Sequence, residues 1–79
     1  MRKVKIFSTP VCPYCIALKE FFKQNDVEFE DIDVSVDDRA REEMIKKSEQ
    51  MGVPVVEIDN NIVVGFDKRK ILELLKIKE

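Results

Sequence analysis

The sequence predicts an α/β fold in which a four-stranded mixed sheet is flanked by three helices in the order βαβαββα. In the first part of the chain, short β-like apolar runs alternate with two longer segments of helical periodicity. Two further strand-like runs separated by a short polar turn follow, and an amphipathic segment closes the chain. At 79 residues the chain is too short to form two hydrophobic cores, so we expect one domain over residues 1–79.

The N-terminal part predicts a strand, a helix and a second strand. The apolar run over residues 4–7 indicates the first strand, which ends before Pro10 because proline fixes φ and has no N–H. A helix is expected from Pro13 to about Asn25, because apolar residues recur there at helical steps. These residues are Ile16, Ala17, Leu18, Phe21 and Phe22. Alternation of apolar and acidic residues over 27–34 predicts the second strand.

A second helix is expected over about residues 37–49. Ser35 and Asp38 have the spacing of a helix-starting cap. Ala40 and Met44 lie four residues apart on one face, with Ile45 beside them, and the rest of the segment is mostly charged. The pattern therefore predicts a helix that packs along one narrow apolar stripe.

The C-terminal part predicts a hairpin and a final helix. Residues 54–58 and 62–64 are strand-like, and the turn composition Asp59-Asn60-Asn61 separates them. Asp67 is placed to cap the last helix. The residues expected to pack inward from it are Ile71, Leu72, Leu74 and Leu75.

This order of elements is the minimal thioredoxin-like layout. A right-handed crossover between the first two strands places the first strand centrally in the sheet. The first and third helices are then expected on one face of the sheet and the second helix on the other.

Composition excludes several classes of function. Apolar residues make up 44% of the chain and charged residues 38%, which is typical of a globular protein. Acids and bases are interspersed and the formal net charge is −2, so we expect no nucleic-acid partner. No apolar run has the length of a membrane span, and the first residues enter a strand pattern instead of a signal peptide. A soluble, cytoplasmic monomer is expected.

Two cysteines separated by two residues, Cys12 and Cys15, carry the chemistry. Cys12 falls at or near the helix N-cap, where free N–H groups and the positive end of the helix dipole favour thiolate over thiol. It is predicted to be the nucleophile. Cys15 lies one turn further on, where it is more sheltered, and is predicted to be the resolving thiol. Cys12 then attacks a substrate disulfide, and Cys15 attacks Cys12 to release the reduced product.

Other interpretations of the pair remain open at this point. Two cysteines near a helix start can simply pack in a core. They are also half of a Cys₄ zinc site, but the chain offers no second pair and no histidine, so no metal site is expected. Tyr14, between them, is either a plain exposed helix residue or a contact for the incoming substrate.

The motif Cys12-Pro13-Tyr14-Cys15 resembles the active site of glutaredoxins, and the resemblance extends over nearly the whole chain. Val53-Pro54 ahead of a strand, and Gly65-Phe66-Asp67 at the start of the last helix, fall where that family has its substrate groove. The resemblance implies a cis Pro54, beside which the backbone of Val53 pairs with an extended cysteinyl substrate. The other interpretation of Pro54 is an ordinary trans proline opening an edge strand.

The departures from the glutaredoxin pattern concern glutathione. Thr9 stands where many members have a lysine, Gly52 replaces a threonine, and Gln50 falls in the usual arginine or glutamine region. Lys68 replaces one of two acids that receive the γ-glutamyl ammonium. These changes predict weakened binding of glutathione, the expected co-substrate, and no tightly bound cofactor is expected.

The resemblance therefore implies a thiol-disulfide oxidoreductase that reduces protein or glutathione mixed disulfides, with glutathione or thioredoxin reductase as electron source. Gly65-Phe66 and Lys68 are also similar to small redoxins that are reduced by thioredoxin reductase and serve ribonucleotide reductase. Two further alternatives are a module in which Cys12 and glutathione hold an iron–sulfur cluster, and a redox sensor without turnover.

Overall fold

A computed structural model describes residues 3–75 of the chain and has the predicted order βαβαββα. Its elements are β1 (Val4–Ser8), α1 (Pro13–Gln24), β2 (Glu30–Asp33), α2 (Asp38–Ser48), β3 (Val55–Ile58), β4 (Asn61–Val64) and α3 (Lys68–Leu75). None of the helices described over this range is long and apolar enough to cross a bilayer.

The four strands form one mixed sheet in the order β2-β1-β3-β4. β1 pairs in parallel with β2 and antiparallel with β3, and β3 continues into the antiparallel β4. The central position predicted for the first strand is therefore confirmed. Because the loop after β1 leads directly into α1, the start of α1 lies at the end of a buried strand.

Alternation along the strands divides the interior into two cores, one on each face of the sheet. The first core joins the sheet to α1 and α3, as predicted; its fully enclosed members include Ile6, Leu18, Phe22, Val56 and Ile71. The second core joins the sheet to α2; its buried members are Phe7, Val34, Met44 and Val55. Each such side chain contributes about 1.5–3 kcal/mol through burial.

Two details of the N-terminal part differ from the prediction. β2 begins at Glu30 and not at Val27, because the Val27 N–H donates to the Phe22 carbonyl at 2.9 Å and closes the end of α1. Ile16 is 53% exposed and Ala17 is exposed as well, so the apolar stripe predicted for α1 is too wide. The buried face of α1 consists of Cys15, Leu18 and Phe22.

The caps and the last helix also need correction. Asp37 caps α2, because its Oδ1 accepts the Ala40 N–H at 3.0 Å. Ser35 instead donates its hydroxyl to Asp33. The hairpin turn is one residue shorter than predicted because Asn61 already belongs to β4. In α3, Ile71 and Leu75 are buried, whereas Leu72 and Leu74 are only half-buried.

Candidate active site

Cys12 forms the N-cap of α1. Its backbone is extended, Pro13 takes the first helical position, and its Sγ accepts the N–H of Cys15 at 3.2 Å. Pro13 suits this position because its own missing N–H would have no helical partner. The Cys12 side chain is partly exposed. The Cys12 sulfur therefore lies at the N-terminus of a helix, accepts a backbone N–H and is accessible to another molecule.

Cys15 has the opposite environment. It lies on the buried face of α1 and is 0% exposed, and both thiols are free. Burial, followed by the hydrogen bond with Cys12, raises the pKa of the Cys15 thiol from 9.0 to about 11, while a backbone contact at Thr9 and the charge of Lys19 act in the other direction. Cys15 is thus a protonated thiol at neutral pH, within reach of the exposed sulfur.

The loop before β3 contains the Val53–Pro54 peptide bond, which is cis. Pro54 is buried and Val53 is half-buried. The Pro54 carbonyl accepts the N–H of Gly65 at 2.8 Å, which ties this loop to the segment that precedes α3. Gly65 has φ +79°, a left-handed conformation that favours glycine. The Val53–Pro54 loop and the segment that begins at Gly65, which the resemblance placed in one groove, are therefore in direct contact.

Gln50 braces the same loop. Its Oε1 accepts the Gly52 N–H at 2.6 Å, and its Nε2 donates to the Gly52 carbonyl at 3.0 Å and to the Ser48 hydroxyl at 3.1 Å. A side-chain amide that pairs with both backbone groups of one residue fixes the conformation of the chain at that point. Gln50, expected in the substrate site, is engaged in holding the backbone next to Val53.

A cavity of about 260 Å³ lies beside this loop. Its lining includes Thr9 and Val53, two of the predicted substrate-binding residues, together with the exposed Met51. The remaining lining residues are Val34, Ser35, Asp38, Arg41 and Met44. Gln50 is absent from this lining.

Arg41, which the sequence did not single out, lines the cavity that contains Thr9 and Val53. The signal was present in the helical spacing, because Asp38, Arg41 and Met44 follow one another at three-residue steps and so share one face of α2. The sequence pointed to Gln50 because it falls in the region where the resemblance implies an arginine or a glutamine.

The segment before α3 serves the fold. The ring of Phe66 packs on Phe21 with 5.5 Å between ring centroids. Asp67 caps α3 as predicted, because its Oδ1 accepts the N–H of Lys70 at 3.2 Å. The Lys68 Nζ lies 5.6 Å from the centre of the Phe21 ring. These three side chains therefore all contact α1 or the first turn of α3.

The sequence neighbours of Cys12 are exposed and apolar. Tyr14 is 68% exposed and Val11 is 85% exposed, although both carry large apolar side chains. Within residues 3–75, no group of three histidine, cysteine, aspartate or glutamate side chains is placed to hold a metal ion. The described site consists of two thiols, a cis-proline loop and a cavity with one arginine in its lining.

Comparison with known proteins agrees with this geometry. The family model for glutaredoxin matches residues 4–63. A glutaredoxin-like 8.6 kDa protein from the rubredoxin operon of Clostridium pasteurianum is 48% identical over 73 residues, which cover 92% of this chain and 97% of that protein. Glutaredoxin 3 of Escherichia coli is 34% identical over 67 residues, which cover 85% of this chain and 81% of that protein.

Solved structures share the fold. A mutant of the thioredoxin-like protein BC3987 superposes with a TM-score of 0.91 at 37% identity, over 99% of this chain and 100% of that one. A glutaredoxin from Archaeoglobus fulgidus gives a TM-score of 0.87 at 28% identity, over 96% of this chain and 88% of that one. With its thioredoxin-like fold and its two adjacent thiols at the start of α1, the chain belongs to the glutaredoxin family of thiol-disulfide oxidoreductases.

Proposed function

We propose that the protein reduces disulfides of proteins and mixed disulfides of glutathione, with Cys12 as nucleophile and Cys15 as resolving thiol. The observation that carries this proposal is the asymmetry of the pair. Cys12 Sγ is partly exposed and accepts a helix N-terminal N–H, whereas Cys15 is buried and its pKa is raised to about 11. An accessible thiolate beside a protected thiol is the arrangement that dithiol exchange requires.

The reaction proceeds in two exchanges. The Cys12 thiolate attacks one sulfur of the substrate disulfide, so that a mixed disulfide forms and the other substrate sulfur leaves as a thiolate. Cys15 then loses its proton and attacks Cys12 Sγ, which forms the Cys12–Cys15 disulfide and releases the second substrate thiol. The substrate gains two electrons, and two external thiols restore the reduced pair.

Glutathione is the proposed external thiol, and Arg41 is the residue proposed to receive its glycine carboxylate. A guanidinium pairs well with a carboxylate, and Arg41 shares its cavity with Thr9 and Val53. In this proposal the backbone of Val53 pairs with the cysteinyl part of glutathione, while Tyr14 and Pro13 border the approach to Cys12. In this proposal Arg41 on α2 supplies the positive charge that Thr9 lacks.

A reductant of a different class is the second candidate, because one part of the site suits glutathione poorly. The Lys68 ammonium lies over the ring of Phe21, at the position where a second acid would favour the glutathione ammonium. Val11 and Tyr14 also give Cys12 an apolar rim, which suits contact with a protein. These features support reduction by thioredoxin reductase and delivery of electrons to ribonucleotide reductase.

The test supplies the protein with NADPH and either glutathione with glutathione reductase or thioredoxin reductase, and follows NADPH oxidation in the presence of a disulfide substrate. We expect turnover with glutathione. Arg41→Gln should raise the half-saturating glutathione concentration several-fold, since one charge-assisted contact is worth about 1 kcal/mol. Thr9→Lys together with Lys68→Asp should lower it.

Arg39→Gln is the matched control, because Arg39 is on the same helix and lines a different cavity on the side of Lys5 and Glu30. Its half-saturating glutathione concentration should equal that of the unmodified protein. Turnover with thioredoxin reductase and none with glutathione would overturn the proposed reductant and select the second candidate. If Arg41→Gln and Arg39→Gln have the same half-saturating glutathione concentration, Arg41 does not bind glutathione.

We also propose that the protein acts as a single-domain monomer in the cytoplasm. In reducing compartments such as the cytosol, disulfides are usually transient and catalytic, which fits a pair of free thiols. Sedimentation of the reduced protein at micromolar concentration tests the monomer, and a mass near 9.2 kDa is expected.

A further inference from the structure

A polar cluster formed by Lys19, Asp31 and Ser8 joins α1 to both strands of the parallel pair. The Nζ of Lys19 lies 2.9 Å from Oδ2 of Asp31, and the hydroxyl of Ser8 donates to Oδ1 of the same carboxylate at 2.9 Å. Ser8 is 1% exposed, and the Lys19 side chain is 20% exposed. The carboxylate of Asp31, a side chain that is 47% exposed, therefore links the Lys19 ammonium to the end of a buried strand.

This cluster adjoins Cys15. Lys19 follows Cys15 by four residues on α1, a spacing that puts the two Cβ atoms about 5–6 Å apart on one face of a helix. Burial is the main influence on the pKa of Cys15 and raises it, and the Lys19 charge acts in the opposite direction. The groups that act on this thiol are Cys12 at the helix start, the backbone at Thr9, and Lys19 one turn later. Lys19 is in turn paired with the β2 carboxylate of Asp31, and its charge also acts on Asp33.

We propose that Lys19, held in place by Asp31 and Ser8, is a positioning residue whose charge stabilises the thiolate that forms on Cys15 in the resolving step. This role rests on the proposed function, in which Cys15 attacks the mixed disulfide at Cys12. The Cys15 proton passes through solvent to the departing substrate thiolate. The Cys12–Cys15 bond forms as the Cys12–substrate bond breaks, and Lys19 remains an ammonium throughout.

Partly exposed ion pairs contribute little to stability, so loss of the pair between Lys19 and Asp31 should change the free energy of unfolding little. A charge on a mostly covered side chain is screened less than a charge on a fully exposed one, so Lys19 can still act on the buried thiol one turn away.

The experiment mixes the reduced protein with the aromatic disulfide dithiobis-nitrobenzoate in a stopped-flow spectrometer. The first thionitrobenzoate is released as Cys12 forms the mixed disulfide, at a rate proportional to reagent concentration. The second is released as Cys15 resolves it, at a rate independent of reagent concentration. The rate of this second phase is measured against pH for the unmodified protein, Lys19→Gln, Lys19→Arg and Lys23→Gln.

We expect Lys19→Gln to slow the second phase about three- to ten-fold at neutral pH and to shift its rise towards higher pH, while the first phase is unchanged. Lys19→Arg, which keeps the charge, should restore most of the rate. Lys23→Gln is the matched control, because Lys23 is exposed one turn further along α1, and its second phase should equal that of the unmodified protein. Far-UV circular dichroism verifies that each variant is folded.

The outcomes separate this inference from the proposed function. If the unmodified protein shows no second phase, or if Cys15→Ser shows the same second phase, the assignment of Cys15 as resolving thiol is wrong. If the second phase exists but its pH profile is the same in Lys19→Gln as in Lys23→Gln, Lys19 has no role in resolution. Failure of Lys19→Arg to restore the rate would also overturn the inference, because it would show that the charge is not what matters.

Discussion

Raising the pH above 9 should destabilise the reduced protein through Cys15. The pKa of this thiol is raised in the folded protein, mainly by burial, from 9.0 to about 11. A thiol whose pKa is higher when folded contributes stability that is fully present below the unfolded pKa. That contribution is lost as the pH rises from the unfolded value towards the folded value, because only the unfolded chain releases the proton.

The size of the loss follows from the two pKa values. Each pKa unit corresponds to about 1.4 kcal/mol, so over the interval from 9.0 to about 11 the complete loss is about 3 kcal/mol. At about pH 10.5 most of this interval has been crossed, and the expected loss is about 2 kcal/mol. Because Cys15 is 0% exposed, solvent does not screen the effect.

Urea denaturation of the unmodified protein and of Cys15→Ala, both kept reduced, measures this loss at pH 7 and at about pH 10.5. Every other side chain is the same in the two proteins, so the difference between the two pH dependences reports the contribution of Cys15. The unmodified protein should lose about 2 kcal/mol more than Cys15→Ala. Equal losses in the two proteins would refute the reasoning that burial holds Cys15 in its protonated form.

Three further predictions concern stability, and each is measured by urea denaturation at neutral pH. Leu18→Ala should cost about 2–5 kcal/mol because Leu18 is fully buried, whereas Ile16→Ala, on the exposed side of the same helix, should cost less than about 1 kcal/mol. Equal costs would contradict the assignment of the buried face. Asp37→Ala should cost about 1 kcal/mol through loss of the α2 cap, and no change would argue against that cap. Gly65→Ala should cost about 1 kcal/mol from backbone strain at φ +79°, since a Cβ there meets no atom within 4 Å. A stabilised Gly65→Ala would contradict the left-handed conformation.

The fold was predictable because local patterns and topology agree. Strand alternation and the rule for right-handed crossovers sufficed to place β1 in the centre and α2 alone on its face. The errors lie where residue type alone does not report how α1 ends or which of its faces is buried. Val27 has strand character, but its N–H closes α1, and Ile16 is apolar although the helix turns it towards solvent.

The sequence was sufficient to place the two cysteines, but it was not sufficient to place the residues that surround them. The positions of Cys12 and Cys15 follow from the start of α1, since capping is a local property. Helical spacing groups Arg41 with Asp38 and Met44 on one face of α2, but it does not show that this face meets Thr9 from a distant part of the chain. The cluster of Lys19 with Asp31 likewise depends on how α1 packs against β2.

The proposed mechanism requires Cys12 to attack the substrate disulfide first and Cys15 to resolve the mixed disulfide that forms on Cys12. Treating Cys15→Ser with oxidised glutathione and mapping the product by peptide mass spectrometry tests it most directly. We expect Cys15→Ser to carry one stable glutathionyl adduct on Cys12 and Cys12→Ser to carry none after the same brief exposure at neutral pH. The unmodified protein should form an internal Cys12–Cys15 disulfide. Rapid modification of Cys15 in Cys12→Ser, at a rate equal to that of Cys12 in Cys15→Ser, would contradict it.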